Sequence, residues 1–336
     1  MQESTRNEII PIPEATRVCG TQERQIAIDG VTWRYLTAGA GPALLLVHGL
    51  MGYTWSWRFN MEAMSQHFTV YAPDLPGTGF SERLNRLPGS LESDAENLLK
   101  FMDKLDIEEA YVLGTSRGGG VSVLLAALAA RRNQLHRIPR MILSAPINPW
   151  SKFGQLRARL LATRTGNFCT LHLIPHMPFL LKKYFRDLYG DPNRIAPGSL
   201  EGYEAGLRPP GSFEHLNSIM HDWHQGLRQI GDLLPHMSDL PVLLLWGSLD
   251  KAVYPSSAYE IGKRLRNSTL LMVEGVGHMP YEEVPDEFNR IVRDFFLEHR
   301  PRTPLESSEE GQHATTPITP QNIGAQTQTA VRDLSR

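Results

Sequence analysis

Ser116 stands in Gly114-Thr115-Ser116-Arg117-Gly118, directly after the apolar run 110–113 and at the start of a helical pattern over 116–131. A serine at a sharp strand-to-helix turn is forced into a strained backbone conformation with its hydroxyl presented outward. The residues two places to either side must be small, because strand and helix nearly touch there. The helix N-terminus then offers free N–H groups to an oxyanion forming beside the serine. A hydroxyl is a weak nucleophile and needs a base within hydrogen-bond reach. His278 is the candidate base: it follows the strand pattern 269–273 through Glu274-Gly275-Val276-Gly277. Asp250, in Trp246-Gly247-Ser248-Leu249-Asp250 after the strand pattern 241–246, is the candidate acid that fixes the other imidazole nitrogen. The rival acid position, after 141–145, carries Pro146-Ile147-Asn148 and no carboxylate.

Acyl-transfer chemistry also needs two N–H donors aimed at one point. The N–H of Arg117 is one candidate, and the N–H of Leu50, in the loop His48-Gly49-Leu50-Met51-Gly52 after the apolar run 43–47, is the other. His48, Gly49, Met51 and Met279 are the candidate substrate-contacting residues, with a structural role in the loop expected for the His48 ring. Cys169, His172 and His176 have a faint zinc-ligand spacing, but one cysteine without a second pair does not make a metal site.

The elements that must position these residues are legible as an alternation. Residues 25–28 and 31–37 flank Asp29-Gly30, a two-residue turn signal, and read as an antiparallel hairpin. Strand patterns follow at 43–47, 68–72, 110–113, 141–145, 241–246 and 269–273, eight in all with the hairpin. Helical patterns lie at 91–105, 116–131, 256–265 and 285–298. Strands alternating with helices give an α/β fold, a mostly parallel sheet flanked on both faces. All three candidate catalytic residues follow strands, and so fall on the C-terminal edge of the sheet where binding sites collect. Between 147 and 239 no strand pattern occurs, only helix-like pieces at 179–188, 199–204 and 213–227. Roughly ninety residues is too long for a loop, so this stretch is expected to be an inserted helical cap. Residues 1–24 read as an irregular leader. Residues 301–336, polar and rich in Thr, Gln, Pro and Ser, read as a disordered tail.

The bulk numbers narrow the partners. A formal charge of -2 on 336 residues gives no basic excess for nucleic acid. The longest apolar runs are too short to span a bilayer, and the first 24 residues lack a secretory apolar run. Two cysteines are too few for a disulfide framework, which points to a reducing, cytoplasmic setting, although one bridge between them stays open. The expected partner is a small neutral or apolar molecule, with no nucleic acid, membrane, metal or organic cofactor, and the chain is expected to be a monomer or homodimer.

Taken together, the segments resemble the α/β-hydrolase superfamily over about residues 25–298. His48-Gly49 looks like that family's oxyanion loop. Asp74-Leu75-Pro76-Gly77-Thr78-Gly79-Phe80-Ser81 resembles its Asp-x-x-Gly-x-Gly-x-Ser turn, and Trp246-Gly247-x-x-Asp250 and Gly277-His278 complete the set in the family's chain order. The resemblance implies an eight-stranded core over 25–146 and 240–300 with a cap over 147–239. It also implies a Ser-His-Asp hydrolase. The family's dehalogenases and epoxide hydrolases use an aspartate nucleophile, against which Ser116 argues. Its proline iminopeptidases usually carry Trp after the serine, where this chain has Arg117. A carboxylesterase on a small to medium hydrophobic ester is expected. A carbon–carbon bond hydrolase, a lactonase and a ligand-binding receptor that retains the triad stay open as alternatives.

Overall fold

The computed structural model describes residues 13–83 and 87–297. The predicted tail over 301–336 and the first half of the predicted leader lie outside the described residues. Eight strands form one sheet: β1 (Gln22–Ile28), β2 (Val31–Ala38), β3 (Ala43–Val47), β4 (Thr69–Pro73), β5 (Ala110–Thr115), β6 (Met141–Ser144), β7 (Val242–Gly247) and β8 (Ser268–Val273). The helices are α1 (Met61–Ser65), α2 (Leu91–Lys104), α3 (Arg117–Arg131), α4 (Lys152–Leu161), α5 (Arg164–His172), α6 (Pro178–Asp187), α7 (Ser199–Leu207), α8 (Ser212–Leu233), α9 (Ser256–Gly262), α10 (Pro280–Glu283) and α11 (Pro285–Leu297).

The strand order is β1-β2-β4-β3-β5-β6-β7-β8, antiparallel through β1, β2 and β4 and parallel from β4 to β8. The chain order switches direction around β3, which pairs with β4 on one side and β5 on the other. A crevice at the C-terminal strand ends is expected at such a switch point, and the Leu50 loop and Ser116 emerge there. Asp29 and Gly30, both at positive φ (51° and 82°), close the predicted hairpin. β1 starts three residues earlier than its composition suggests. Gln22, Glu23 and Arg24 pair with Thr37, Leu36 and Tyr35, so ladder hydrogen bonds rather than apolar side chains set its start.

β5, β6 and β7 are buried along their whole length, as strands covered on both faces must be. Alternate residues point to opposite faces. Leu45 and Val47 join the cluster packed by α2 and α3, while Leu44 and Leu46 join the cluster containing Phe68, Tyr111, Phe288 and Phe296. Between β6 and β7 the chain runs only through helices and short 3-10 turns, α4 to α8 among them. α4 and α5 are additional to the helix-like pieces expected there, and α8 extends to Leu233.

Two adjacent carboxylates fasten this insertion to the core. Glu282 accepts two hydrogen bonds from the Arg58 guanidinium at 2.7 Å each, one from Tyr189 Oη at 2.5 Å and one from the Tyr203 hydroxyl. Burial, and then the Glu282 charge, raise the pKa of both phenols, so they stay protonated donors. Glu283 accepts the N–H groups of Gly190, Asp191 and Gly277, each at 2.9 Å. Among the described residues no helix is long and apolar enough to cross a membrane. Cys19 and Cys169 are free thiols.

Arg58→Ala leaves the fully buried Glu282 carboxylate without its cation. The expected loss is about 3–5 kcal/mol of unfolding free energy, read from urea denaturation. An unchanged midpoint would show that the clamp contributes nothing.

Candidate active site

Ser116 caps α3 with φ 52° and ψ −119°. A non-glycine residue in that region costs on the order of 1–3 kcal/mol, so its surroundings must over-determine it. They do so through the backbone: Ser116 N–H donates to Ser144 O at 2.9 Å, and Ser116 O accepts from Gly120 N at 3.2 Å and Ile147 N at 3.0 Å. A Cβ on Gly114 would lie 2.3 Å from Ser122 Oγ and 2.6 Å from Gly118 O. One on Gly118 would lie 2.3 Å from both Val47 O and His48 O. The two glycines are therefore required by close approach of β3, β5 and α3. The Arg117 side chain turns away from Ser116: its guanidinium sits 2.7 Å from the buried Asp94 carboxylate and donates to Gly89 O at 2.8 Å. Only the Arg117 backbone is available to the site.

His278 and Asp250 meet as the spacing predicts. His278 Nδ1 is 2.7 Å from Asp250 Oδ2, and both side chains are buried. Asp250 Oδ1 accepts from Ala252 N at 2.7 Å and Val253 N at 2.9 Å, which locks the carboxylate plane. With an ionised carboxylate at Nδ1, that nitrogen carries the proton and Nε2 is left as the acceptor. The His278 main chain is held from the insertion: its N–H donates to Leu188 O at 2.6 Å, and Glu283 takes the preceding Gly277 N–H.

The Leu50 loop closes on Ser116. A Cβ on Gly49 would stand 3.1 Å from Ser116 Cβ, and Gly52 N–H donates to Gly49 O at 3.1 Å to form the turn. His48 is a brace for this loop. Its Nε2 accepts the Leu75 N–H at 3.1 Å, so Nδ1 carries the proton and donates to Gly49 O at 2.9 Å. Burial lowers the His48 pKa and keeps the ring neutral. The Asp74 turn that supplies Leu75 is itself tied down: Asp74 accepts from Thr54 N, Phe80 N and the buried Arg34, while Ser81 Oγ donates to Asp74 O.

Ser116, His278, Leu50 and Met51 share the wall of one cavity of about 280 Å³. Its floor adds Ile147, Asn148, Ser151, Ala252 and Val253. Its ceiling comes from the insertion: Gln155, Ala158 and Leu161 of α4, Leu180, Leu181 and Tyr184 of α6, and Leu216, Met220, Trp223 and Leu227 of α8. His48, Gly49 and Met279, expected to contact substrate, are not on this wall. The His48 ring is spent on Leu75 and Gly49, Gly49 packs on Ser116, and Met279 is buried in the core. Tyr53, Trp55 and Trp57 likewise pack rather than line the cavity. Tyr53 donates to Gly202 O at 2.7 Å, and Trp57 stacks obliquely on Tyr281. Asn148 is a polar wall residue to which its sequence context assigns no role. Its Oδ1 takes the N–H groups of Trp150 and Ser151, and its Nδ2 donates to Ser257 Oγ and Pro146 O. Among the described residues no cluster of three or more His, Cys, Asp or Glu side chains is placed to hold a metal.

A mostly parallel eight-stranded sheet, a strained strand–helix turn at its switch point and a helical insertion above it define the α/β-hydrolase class of fold. Similarity to known proteins agrees. A family model described as alpha/beta hydrolase fold matches residues 42–168, and one described as TAP-like protein matches 217–310. A protein of Pseudomonas putida named dihydrolipoyllysine-residue acetyltransferase component of acetoin cleaving system is 31% identical over 291 residues, 86% of this chain and 70% of that protein. A pimeloyl-[acyl-carrier protein] methyl ester esterase of Nitrosospira multiformis is 25% identical over 283 residues, 76% of this chain and 95% of its own. The solved structure of a meta-cleavage product hydrolase from Pseudomonas fluorescens IP01 superposes with a TM-score of 0.68 at 26% identity, covering 82% of this chain and 98% of that one. The chain belongs to the α/β-hydrolase fold family.

Two outcomes test this local geometry. Gly118→Ala places a methyl group 2.3 Å from two backbone oxygens. It is expected to cost at least about 2 kcal/mol, read by thermal unfolding. His215 of α8 packs its ring against Gly77 with neither nitrogen hydrogen-bonded, and burial, with the nearby Arg117 and Arg83, pushes its pKa down to about 3. The unfolded chain takes up a proton near pH 6.5 that the folded chain refuses until about pH 3. Stability therefore falls as pH drops through that window, by up to about 1.4 kcal/mol per pH unit from this residue. His215→Gln removes this contribution, so wild type and variant converge in stability from pH 7.5 to pH 5. Parallel curves would contradict the assignment.

Proposed function

We propose that the chain is a serine hydrolase that cleaves small to medium, neutral hydrophobic esters through an acyl-enzyme. The observation that carries this reading is the placement of Ser116 and His278 on one apolar cavity wall, with His278 Nδ1 2.7 Å from a buried Asp250. In the proposed reaction Ser116 Oγ attacks the ester carbonyl and His278 Nε2 takes its proton. The oxyanion is held by the N–H groups of Leu50 and Arg117. Collapse of the tetrahedral species expels the alcohol, which leaves with the proton from His278. Water, activated by the same nitrogen, then cleaves the acyl-serine. Protons move on His278 alone and charge is held by backbone N–H groups, so the scheme calls for no metal or organic cofactor. The free thiols of Cys19 and Cys169 are in keeping with a cytoplasmic setting.

The character of the wall supports a neutral substrate. The described lining residues include no lysine or arginine, and the polar atoms of Asn148 are already engaged within the protein. A buried carboxylate would meet no countercharge from these residues. That favours an ester over the dienoate acids for which a further structural neighbour, a 2-hydroxy-6-oxo-6-phenylhexa-2,4-dienoate hydrolase, is named. The name of the Pseudomonas putida relative, an acetyltransferase component, raises a second fate for the acyl-serine: attack by an acceptor other than water.

The test is hydrolysis of p-nitrophenyl esters from acetate to laurate, with and without an added dithiol acceptor. Wild type is expected to turn over with an optimum at short or medium chain length. Ser116→Ala is expected to lose at least about 10³-fold in kcat with its fold intact by circular dichroism. Acceleration by the dithiol would favour acyl transfer. Undiminished turnover in Ser116→Ala would sink the mechanism.

A further inference from the structure

Residues 149–186, which build α4, α5 and most of α6, contain seven lysines and arginines and no aspartate or glutamate, in a chain whose formal charge is -2. The same stretch is unusually apolar on its outside. Leu160, Phe168, Leu173, Phe179 and Leu180 are 40–60% exposed, five of the nine large hydrophobic residues that are exposed among those described. Five large exposed apolar side chains gathered on one stretch of the insertion, rather than scattered singly, point to a contact surface. Leu180 both faces solvent and lines the cavity, and Leu161, Ile174 and Leu181 of the same stretch line it too. The exposed face is thus continuous with the cavity ceiling. Arg159, Arg164 and Arg186 are exposed and have no acidic partner among the described residues, and Lys183 has only the exposed Asp187.

We infer that this face of the insertion docks on the surface of an anionic phospholipid bilayer, with Phe168 and Phe179 as the apolar anchors and the surrounding cations on the lipid headgroups. Apolar side chains set among lysines and arginines are what an interfacial binder presents, and each cation adds attraction to an anionic leaflet. Charge also decides against the simplest alternative. A second copy of this chain docked face to face would set the exposed Arg159, Arg164, Lys183 and Arg186 against their own counterparts with no carboxylate from the same stretch to pair them. An anionic lipid surface supplies the missing countercharge. The docking has a use, since Leu180 belongs to both the exposed face and the cavity wall, so a bilayer held against the face would stand beside the cavity. Docking on a bilayer surface departs from the sequence expectation of no membrane partner, which rests on the lack of a spanning apolar run, and it does not depend on the proposed hydrolysis.

The experiment is co-sedimentation of the full chain with vesicles of phosphatidylcholine alone or mixed with phosphatidylglycerol. Binding to the anionic vesicles is expected to be at least about tenfold tighter, and to weaken at least about tenfold in 0.5 M salt as the Debye length shrinks. The double substitution Phe168→Ser/Phe179→Ser and, separately, Arg159→Glu/Arg164→Glu are expected to lower vesicle binding about tenfold or more. Circular dichroism and turnover of a short soluble ester should stay unchanged, since none of the four residues lines the cavity. Vesicle binding is read without turnover, so its failure is distinct from failure of the esterase reading. Equal or absent binding to both vesicle types, or variants that bind like wild type, would overturn the inference. A solution dimer that the same substitutions dissociate would overturn it too, and would assign the face to a second copy.

Discussion

The site rests on one close approach. β5 ends and α3 begins so near to β3 that Gly114 and Gly118 have no room for a side chain, and the single residue centred between them, Ser116, is turned to φ 52°. That backbone geometry presents the serine side chain to the cavity. It also brings the Leu50 loop against it, because the atoms that exclude a Cβ on Gly118 are the carbonyls of Val47 and His48, where that loop starts. The cost of the strained residue is offset by backbone hydrogen bonds to Ser144, Gly120 and Ile147 and by the buried runs of β3, β5 and β6. One steric constraint thus sets the positions of the serine and of the loop beside it.

A second layer of polar contacts ties the insertion to the same edge. Glu282 and Glu283 sit four and five residues beyond His278. One holds Arg58, Tyr189 and Tyr203, and the other holds the N–H groups on either side of the insertion–core boundary, Gly190 and Asp191 on one side and Gly277 on the other. The imidazole loop and the ceiling of the cavity therefore share their fastenings. A shift of α6 or α7 would be felt at His278 through Leu188 O and Glu283. On the opposite side, the neutral His48 ring and the Asp74 turn, whose carboxylate is paired with Arg34, brace the Leu50 loop.

Much of this was legible in the residue order. Gly-x-Ser-x-Gly after an apolar run encodes the elbow because the turn demands small residues at two fixed offsets. Asp250 and His278 each come after a strand, and parallel strands deliver the residues beyond their C-terminal ends to one edge, so their meeting could be read without knowing the insertion. The cavity wall was less accessible. Its ceiling comes from α4, α6 and α8, whose order in space depends on packing between helices that no local pattern specifies. Asn148, Trp223 and Leu227 become wall residues only in three dimensions. His48, Gly49 and Met279 show the converse: adjacency in sequence to a site residue does not place a side chain in the site when its hydrogen bonds or its packing are used elsewhere. The exposed apolar face beside Arg159, Arg164, Lys183 and Arg186 was equally hidden, since exposure is a property of the packed insertion.

The central claim is that the strained Ser116 is the nucleophile. The most direct measurement is reaction of the folded chain with a fluorophosphonate probe, followed by peptide mapping. The account predicts stoichiometric label on the peptide containing Ser116, and slowed labelling in His278→Ala because the base is gone. Label on another residue, or none on a folded chain, would contradict it.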